Sequence, residues 1–157
     1  MIYHNINNHS LLSKIISNEV KMLEGLKVIE MATYVAAPAA GAMLRDWGAE
    51  VIKVEPLNGC PMRRFFEGMK SNVPIEGNPI FTLDNRGKKG ISLNTSDEKG
   101  AKIIRELIKD ADIFLTNVRP KSLESAKLNH EELHKINPKL IYCSLTGYGL
   151  DGEERNR

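Results

Sequence analysis

The apolar positions of this chain fall into short runs separated by stretches of helical periodicity. Residues 26–31 (LKVIEM), 50–54 (EVIKV), 88–93 (KKGISL), 112–116 (DIFLT) and 140–145 (LIYCSL) carry Val, Ile and Leu between polar boundaries and predict five strands. After the first, Pro38 suits the opening turn of a helix that runs to Trp47 and stops at Gly48. Ala39, Ala40 and Gly41 are small enough to let that helix approach the sheet or a ligand closely. Ala101, Ile104, Leu107, Ile108 and Ala111 form one helical stripe, and Thr95 to Glu98 reads as a capping box at its start. Asn129, with Glu132 three residues on, predicts an N-cap for a short helix ended by Pro138. Residues 56–85, rich in Pro, Gly, Asn and charge, predict a long loop. Strands alternating with helices define an α/β class: a mostly parallel sheet with flanking helices.

Composition narrows the function classes. A length of 157 residues supports one core-bearing domain. Hydrophobic content of 41% and charged content of 27% belong to an ordinary globular protein. A net charge of +2, without basic runs or aromatic–basic interleaving, argues against nucleic acid. No apolar stretch reaches the ~20 residues that cross a bilayer, so no membrane partner is expected. Cys60 and Cys143 form no CxxC pair, and a reducing cytoplasm is the expected location. Cys143, inside a strand-like run, is expected to be a buried thiol; Cys60, in a loop, could be inert or exposed. Residues 1–21, asparagine-rich and free of Gly and Pro, lack the layout of a signal peptide. They read as a leader that is disordered or not native, with Met22 as the natural start.

In such a sheet, ligands bind beyond the carboxyl ends of the strands. Those ends are Thr33–Pro38, Glu55–Arg64, Asn117–Pro120 and Gly147–Leu150. Glu55 stands where a dinucleotide-binding protein keeps its ribose-binding acid, but the first loop, ATYVAAPAAG, lacks the glycine fingerprint. Glu55 otherwise reads as a solvated strand terminus. Arg63, Arg64, Lys88, Lys89 and Arg119 could attract a phosphate-bearing ligand or could be solvated surface charges. His130 and His134 are four residues apart without a third ligand nearby in sequence, and read as surface histidines rather than a metal pair. Tyr148, between two glycines, reads as a turn residue or as a wall of a site, the turn being favoured. Ser144 and Thr146 have no triad-like setting.

Four segments taken together, LEGLKVIEMATYVAAPAAGAMLRDWGAEVIKVEPLNG, NRGKKGISLN, ADIFLTNVRP and NPKLIYCSLTGYG, resemble the class III CoA-transferase family (CaiB/BaiF type, with formyl-CoA transferase and carnitine CoA-transferase). The resemblance covers residues 23 to about 152, so residues 22–157 would be the N-terminal part of a large domain, truncated. It is greatest to the branch acting on (R)-2-hydroxyacyl-CoA and aryl-lactates in amino-acid fermentation. It implies a Rossmann-like large domain, an interlocked homodimer of full-length chains, and coenzyme A as a thioester substrate rather than a tightly bound cofactor. Tyr34, Val35 and Ala36 match backbone contacts to CoA near the thioester. Pro56 stands where some members place an arginine beside the adenine. Arg63 matches the arginine closing a G-D-x-x-R-like stretch, in which Cys60 replaces the aspartate. Leu93, Asn94, Thr95 and Ser96, and Asn117, Val118 and Arg119, match further CoA-lining segments. Ser125 replaces a basic residue for the CoA phosphates, a role that Lys121 or Lys127 would have to take.

The resemblance also implies a reaction. An aspartate carboxylate attacks the acyl-CoA thioester to give an acyl–aspartyl anhydride and CoA thiolate, and CoA then passes to an acceptor carboxylic acid. That aspartate is expected beyond Arg157, since Asp151 sits in the glycine turn itself. No catalytic residue is therefore expected in the chain, and the fragment alone is expected to be inactive. Two alternatives stand beside this one: an α-methylacyl-CoA racemase of the same family, which moves a proton next to the thioester, and a non-catalytic CoA-binding remnant.

Overall fold

A computed structural model describes residues 21–69 and 71–156. The leader assigned to residues 1–21 lies outside the described residues apart from Lys21. Five strands form one sheet: β1 (Lys27–Met31), β2 (Glu50–Glu55), β3 (Lys89–Ser92), β4 (Ile113–Thr116) and β5 (Ile141–Ser144). Their order is β3-β2-β1-β4-β5, and every pairing is parallel. All five predicted strands are present, within a residue or two of their predicted ends. The chain leaves β1 toward β2 and β3, then returns to place β4 on β1's other side. The switch point thus lies between β1 and β4, where an open α/β sheet leaves a crevice for a ligand.

Six helices accompany the sheet among the described residues: α1 (Ala36–Asp46), α2 (Phe65–Gly68), α3 (Pro79–Asn85), α4 (Glu98–Ile108), α5 (Pro120–Ser125) and α6 (His130–Ile136). Alternation along the strands splits the core in two. Ile29, Val54 and Phe114 pack with Ile104 and Ile108 of α4, Leu123 of α5 and Leu133 of α6. On the other face Val28, Val51 and Leu115 pack with Ala37 of α1. No helix among the described residues is long and apolar enough to cross a membrane.

Helix ends depart from the sequence reading in instructive ways. Helix α1 starts at Ala36, which puts Pro38 at its third position; the missing proline N–H is harmless there because first-turn donors have no intrahelical acceptor. Thr95 does not cap α4. Asp97 does, accepting from the Lys99 amide at 2.8 Å. Asn129 holds the N-cap position of α6, but its amide donates to the Glu131 carboxylate instead of accepting from the backbone. The stretch 56–85 is not an unbroken loop. It contains 3₁₀ turns at Pro61–Arg64 and Ile75–Gly77, the short α2, and α3, whose first turn is capped by Asn78 accepting from Phe81 N–H at 2.9 Å. Asn78-Pro79 is an N-cap followed by proline at the first helical position, a start signal rather than a break.

Cys143 is exposed, not buried. It lies on β5, the edge strand, whose side chains alternate between solvent and the α6 side, and Ile141 on the same face is 61% exposed. Cys60 is the buried thiol.

Candidate functional site at the carboxyl ends of the strands

The loops after β1 and β4 are tied together at the switch point. Thr116, fully buried, donates its hydroxyl to the Met31 carbonyl at 2.8 Å. Asn117 holds Thr33 by both backbone groups: its side-chain oxygen accepts from Thr33 N–H at 2.9 Å and its amide donates to Thr33 C=O at 2.8 Å. Tyr34, next in the chain, has φ +62°. That left-handed backbone is unfavourable for a residue with a Cβ and persists only where its surroundings impose it. Tyr34 and Val35 are exposed, and no side chain caps α1, so first-turn amide donors face the carboxyl edge without a side-chain acceptor.

Beside this loop a cavity of about 690 Å³ opens over the ends of β4 and β5. Asn117, Val118, Arg119 and Lys121 form one wall, and Leu145 and Tyr148 belong to the other. Its volume suits a small-molecule ligand. Arg119 and Lys121 form no ion pair among the described residues, and Glu124 is the acidic group on the same rim. Tyr148 lies in a bend and also lines this cavity. Of the two lysines that could stand in for the residue at Ser125, Lys121 lines the cavity and Lys127 does not. The Ser125 hydroxyl donates to the Lys121 carbonyl at 2.9 Å.

The other predicted residues lie at the ends of β2 and β3. Pro56 is exposed just after β2. Glu55 is 6% exposed, not a solvated terminus. Arg63 donates to both of its oxygens at 2.8 Å, and the Cys60 amide donates to Oε2 at 2.8 Å. Burial pushes the Glu55 carboxyl up, but the Arg63 hydrogen bonds, the Cys60 amide and the nearby charges outweigh it and hold the group below its usual value. The Arg63 guanidinium also lies 3.8 Å over the Phe81 ring. Arg63 thus braces the 56–64 loop. Leu93 is buried in the core and its amide donates to Glu55 C=O at 2.9 Å. Asn94 and Ser96 are exposed in the turn that follows, and Thr95 between them is partly so.

Replacing Arg63 with Gln should cost about 1–2 kcal/mol at pH 7, discounted for the partial exposure of Arg63. Glu55 contributes stability above its unfolded value of 4.5, lost as pH falls through its lower folded value. The gap between wild type and Arg63→Gln should therefore close in acid. Urea denaturation of both at pH 7 and pH 3 measures it; a gap independent of pH would disprove the assignment.

The remaining basic candidates separate. Lys89 pairs with Glu50 at 2.7 Å near the opposite, amino end of the sheet, and Arg64 lies 3.6 Å from Glu67. Lys88 is buried in a charged cluster that the sequence reading did not identify. Glu30 of β1 and Lys53 of β2 are register partners. Lys53 Nζ donates to Glu30 Oε1 at 2.7 Å and to Ala32 C=O at 3.0 Å. Lys88 Nζ lies 2.6 Å from Glu30 Oε2 and donates to Pro38 C=O at 2.8 Å and Asp84 C=O at 2.6 Å. A Cβ on Gly41 of α1 would fall 2.0 Å from Glu30 Oε2, so only glycine lets α1 cross this cluster. The available signal was a charge of each sign at the centre of two strands covered on both faces, where charges must pair.

The His130 and His134 rings meet edge to face with centroids 4.1 Å apart, and His134 Nε2 lies 2.6 Å from the Leu140 carbonyl oxygen. Among the described residues no group of three or more His, Cys, Asp or Glu side chains is placed to hold a metal ion.

The family model described as CoA-transferase family III matches residues 23–157. Among curated proteins, the chain is 40% identical over 136 residues to the (R)-2-hydroxy-4-methylpentanoate CoA-transferase of Clostridioides difficile, an alignment covering 87% of this chain and 34% of that protein. It is 43% identical over 139 residues to the cinnamoyl-CoA:phenyllactate CoA-transferase of Clostridium sporogenes, covering 88% and 34%. A crystal structure of a CAIB/BAIF family protein from Brucella suis superposes with a TM-score of 0.77 at 39% identity, covering 86% of this chain and 36% of that one. The chain spans about a third of the length of these relatives.

Proposed function

The chain belongs to CoA-transferase family III, and from that premise we propose that it forms the part of a CoA-transferase that holds the CoA thioester. The observation that carries this reading is the cavity over β4 and β5, walled by Asn117–Arg119 and adjoining the loop that Asn117 ties in place. Arg119 and Lys121 offer cationic donors to phosphate oxygens. The first-turn amides of α1, beside Tyr34, Val35 and Ala36, offer donors to a polarised thioester carbonyl. Pro56 and the turn Leu93–Ser96 would line the same ligand farther along the carboxyl edge, over β2 and β3.

The reaction of the whole protein moves CoA from an acyl-CoA to a carboxylic acid through an acyl–aspartyl anhydride. The names of the two clostridial relatives support a 2-hydroxy acid as the acyl class. Asp151, two residues after Gly149, lies in an exposed bend, and no nucleophilic role is assigned to it. No residue of this chain is assigned the catalytic carboxylate, and the role proposed for it is to bind CoA. The full-length protein works as an interlocked homodimer in the cytoplasm, a location that suits two free thiols.

Calorimetric titration of CoA into the 157-residue chain tests the reading. We expect saturable one-to-one binding, weakened about fivefold to tenfold by Arg119→Ala or Lys121→Ala, the effect of one partly exposed charged contact. Absence of heat at millimolar CoA, with the chain folded by circular dichroism, would overturn it.

A further inference from the structure

The buried cluster Glu30–Lys53–Lys88 reaches both ends of the backbone segment that borders the site. Lys53 donates to the carbonyl of Ala32, where the segment begins, and Lys88 to that of Pro38, where it ends. Asn117 grips Thr33 between them. The segment so held includes Tyr34 in its left-handed conformation and the first-turn amides of α1, which no side chain caps. The side chains of Lys53 and Lys88 are 2% exposed and that of Glu30 is fully buried, so neither lysine can reach a ligand itself. Lys88 also holds the α3 end of the fold to α1, donating to Asp84 C=O and, at 3.2 Å, to Asn85 Oδ1. A hydrophobic trio would fill the same space at no desolvation cost. What two ammonium groups on one carboxylate add is direction: each has donors left for a particular backbone carbonyl.

We infer that Lys88 and Lys53, anchored on Glu30, are positioning residues that fix the backbone amides of residues 34–37 to receive a thioester carbonyl oxygen. This rests on the CoA reading for its ligand, but not for its geometry. The test is Lys88→Met, which leaves Glu30 paired with Lys53 and so avoids a lone buried charge. Two probes are titrated: acetyl-CoA, which carries the thioester, and adenosine 3′,5′-bisphosphate, which carries only the nucleotide end. The expected result is about a tenfold loss of acetyl-CoA affinity with the bisphosphate held as by wild type. Equal losses for both probes, or no loss for either, would overturn the inference. If wild type binds neither probe, the CoA reading fails, and the amide spectrum then decides the geometry. Shifted or broadened signals for residues 34–37 in Lys88→Met, with β5 unchanged, support positioning; an unchanged segment refutes it. Should Lys88→Met not fold, the uncharged Glu30→Met/Lys53→Met/Lys88→Met chain replaces it under the same criteria.

Discussion

Replacing Glu30 with alanine should cost about 3–5 kcal/mol, the range for breaking a buried ion pair from one side. Two buried lysines would remain with no carboxylate between them. Typical domains have about 5–15 kcal/mol in total, so a large share of Glu30→Ala molecules should be unfolded or aggregated at 37 °C. The pH dependence separates this cause from a packing loss. Burial pulls Lys88 below the ordinary lysine value of 10.5, and the charge and hydrogen bond of Glu30 oppose that pull. A lysine whose folded value is depressed carries a penalty in the folded state, relieved as pH rises from that folded value toward 10.5. Removing Glu30 depresses Lys88 further and widens the window. Glu30→Ala should therefore recover part of its lost stability relative to wild type between neutral pH and about pH 10. Urea midpoints at several pH values measure this, and a deficit that stays constant or deepens on alkalinisation would refute it.

Gly100→Ala should be the second large loss, about 2–4 kcal/mol, although alanine is ordinarily better in a helix by about 1 kcal/mol. Gly100 is buried in the first turn of α4, and a Cβ there would fall 2.0 Å from the carbonyl oxygen of Asn94 and 2.7 Å from its carbon. The obstacle is main chain, in the turn after β3 that contributes Asn94 to Ser96. Relief requires moving either α4 or that turn, so the damage should spread to the candidate site. Gly68→Ala is the control: it lies in α2 with nothing within 4 Å of the added carbon, and should be neutral or slightly stabilising. Thermal unfolding of the two variants should place them on opposite sides of wild type, or nearly so. Equal melting temperatures would show that the turn yields freely.

The parallel sheet was legible in the sequence because buried strands carry continuous Val, Ile and Leu, and the chain punctuates them clearly. The positions of Asn117–Arg119 at a strand end followed from the same pattern, and the cavity lies over them. Hydrophobic periodicity could not show what depends on sheet order. Glu30 and Lys53 look like ordinary polar alternation until β1 and β2 are placed side by side in register beneath α1. Cys143 looks like core until β5 turns out to be an edge strand. Helix α3 is hidden within a stretch whose Pro, Gly, Asn and charge read together as loop, although Asn78-Pro79 starts a helix there. In the sequence Arg63 and Lys88 look alike, as candidate anion-binding cations. Their partners, Glu55 and Glu30, separate them from Arg119 and Lys121, which have no ionic partner among the described residues.

The central claim is that CoA lies along the carboxyl ends of these strands. The most direct measurement is an amide proton–nitrogen correlation titration of the 157-residue chain with CoA. The signals expected to move are those of Tyr34 to Ala37, Asn117 to Arg119 and Gly147 to Tyr148, with Asn94 to Ser96 following. Amides at the amino end of the sheet, such as Gly48, Gly87 and Lys89, should stay where they are. Shifts centred on that amino end, or a folded spectrum that CoA leaves unchanged, would contradict the account.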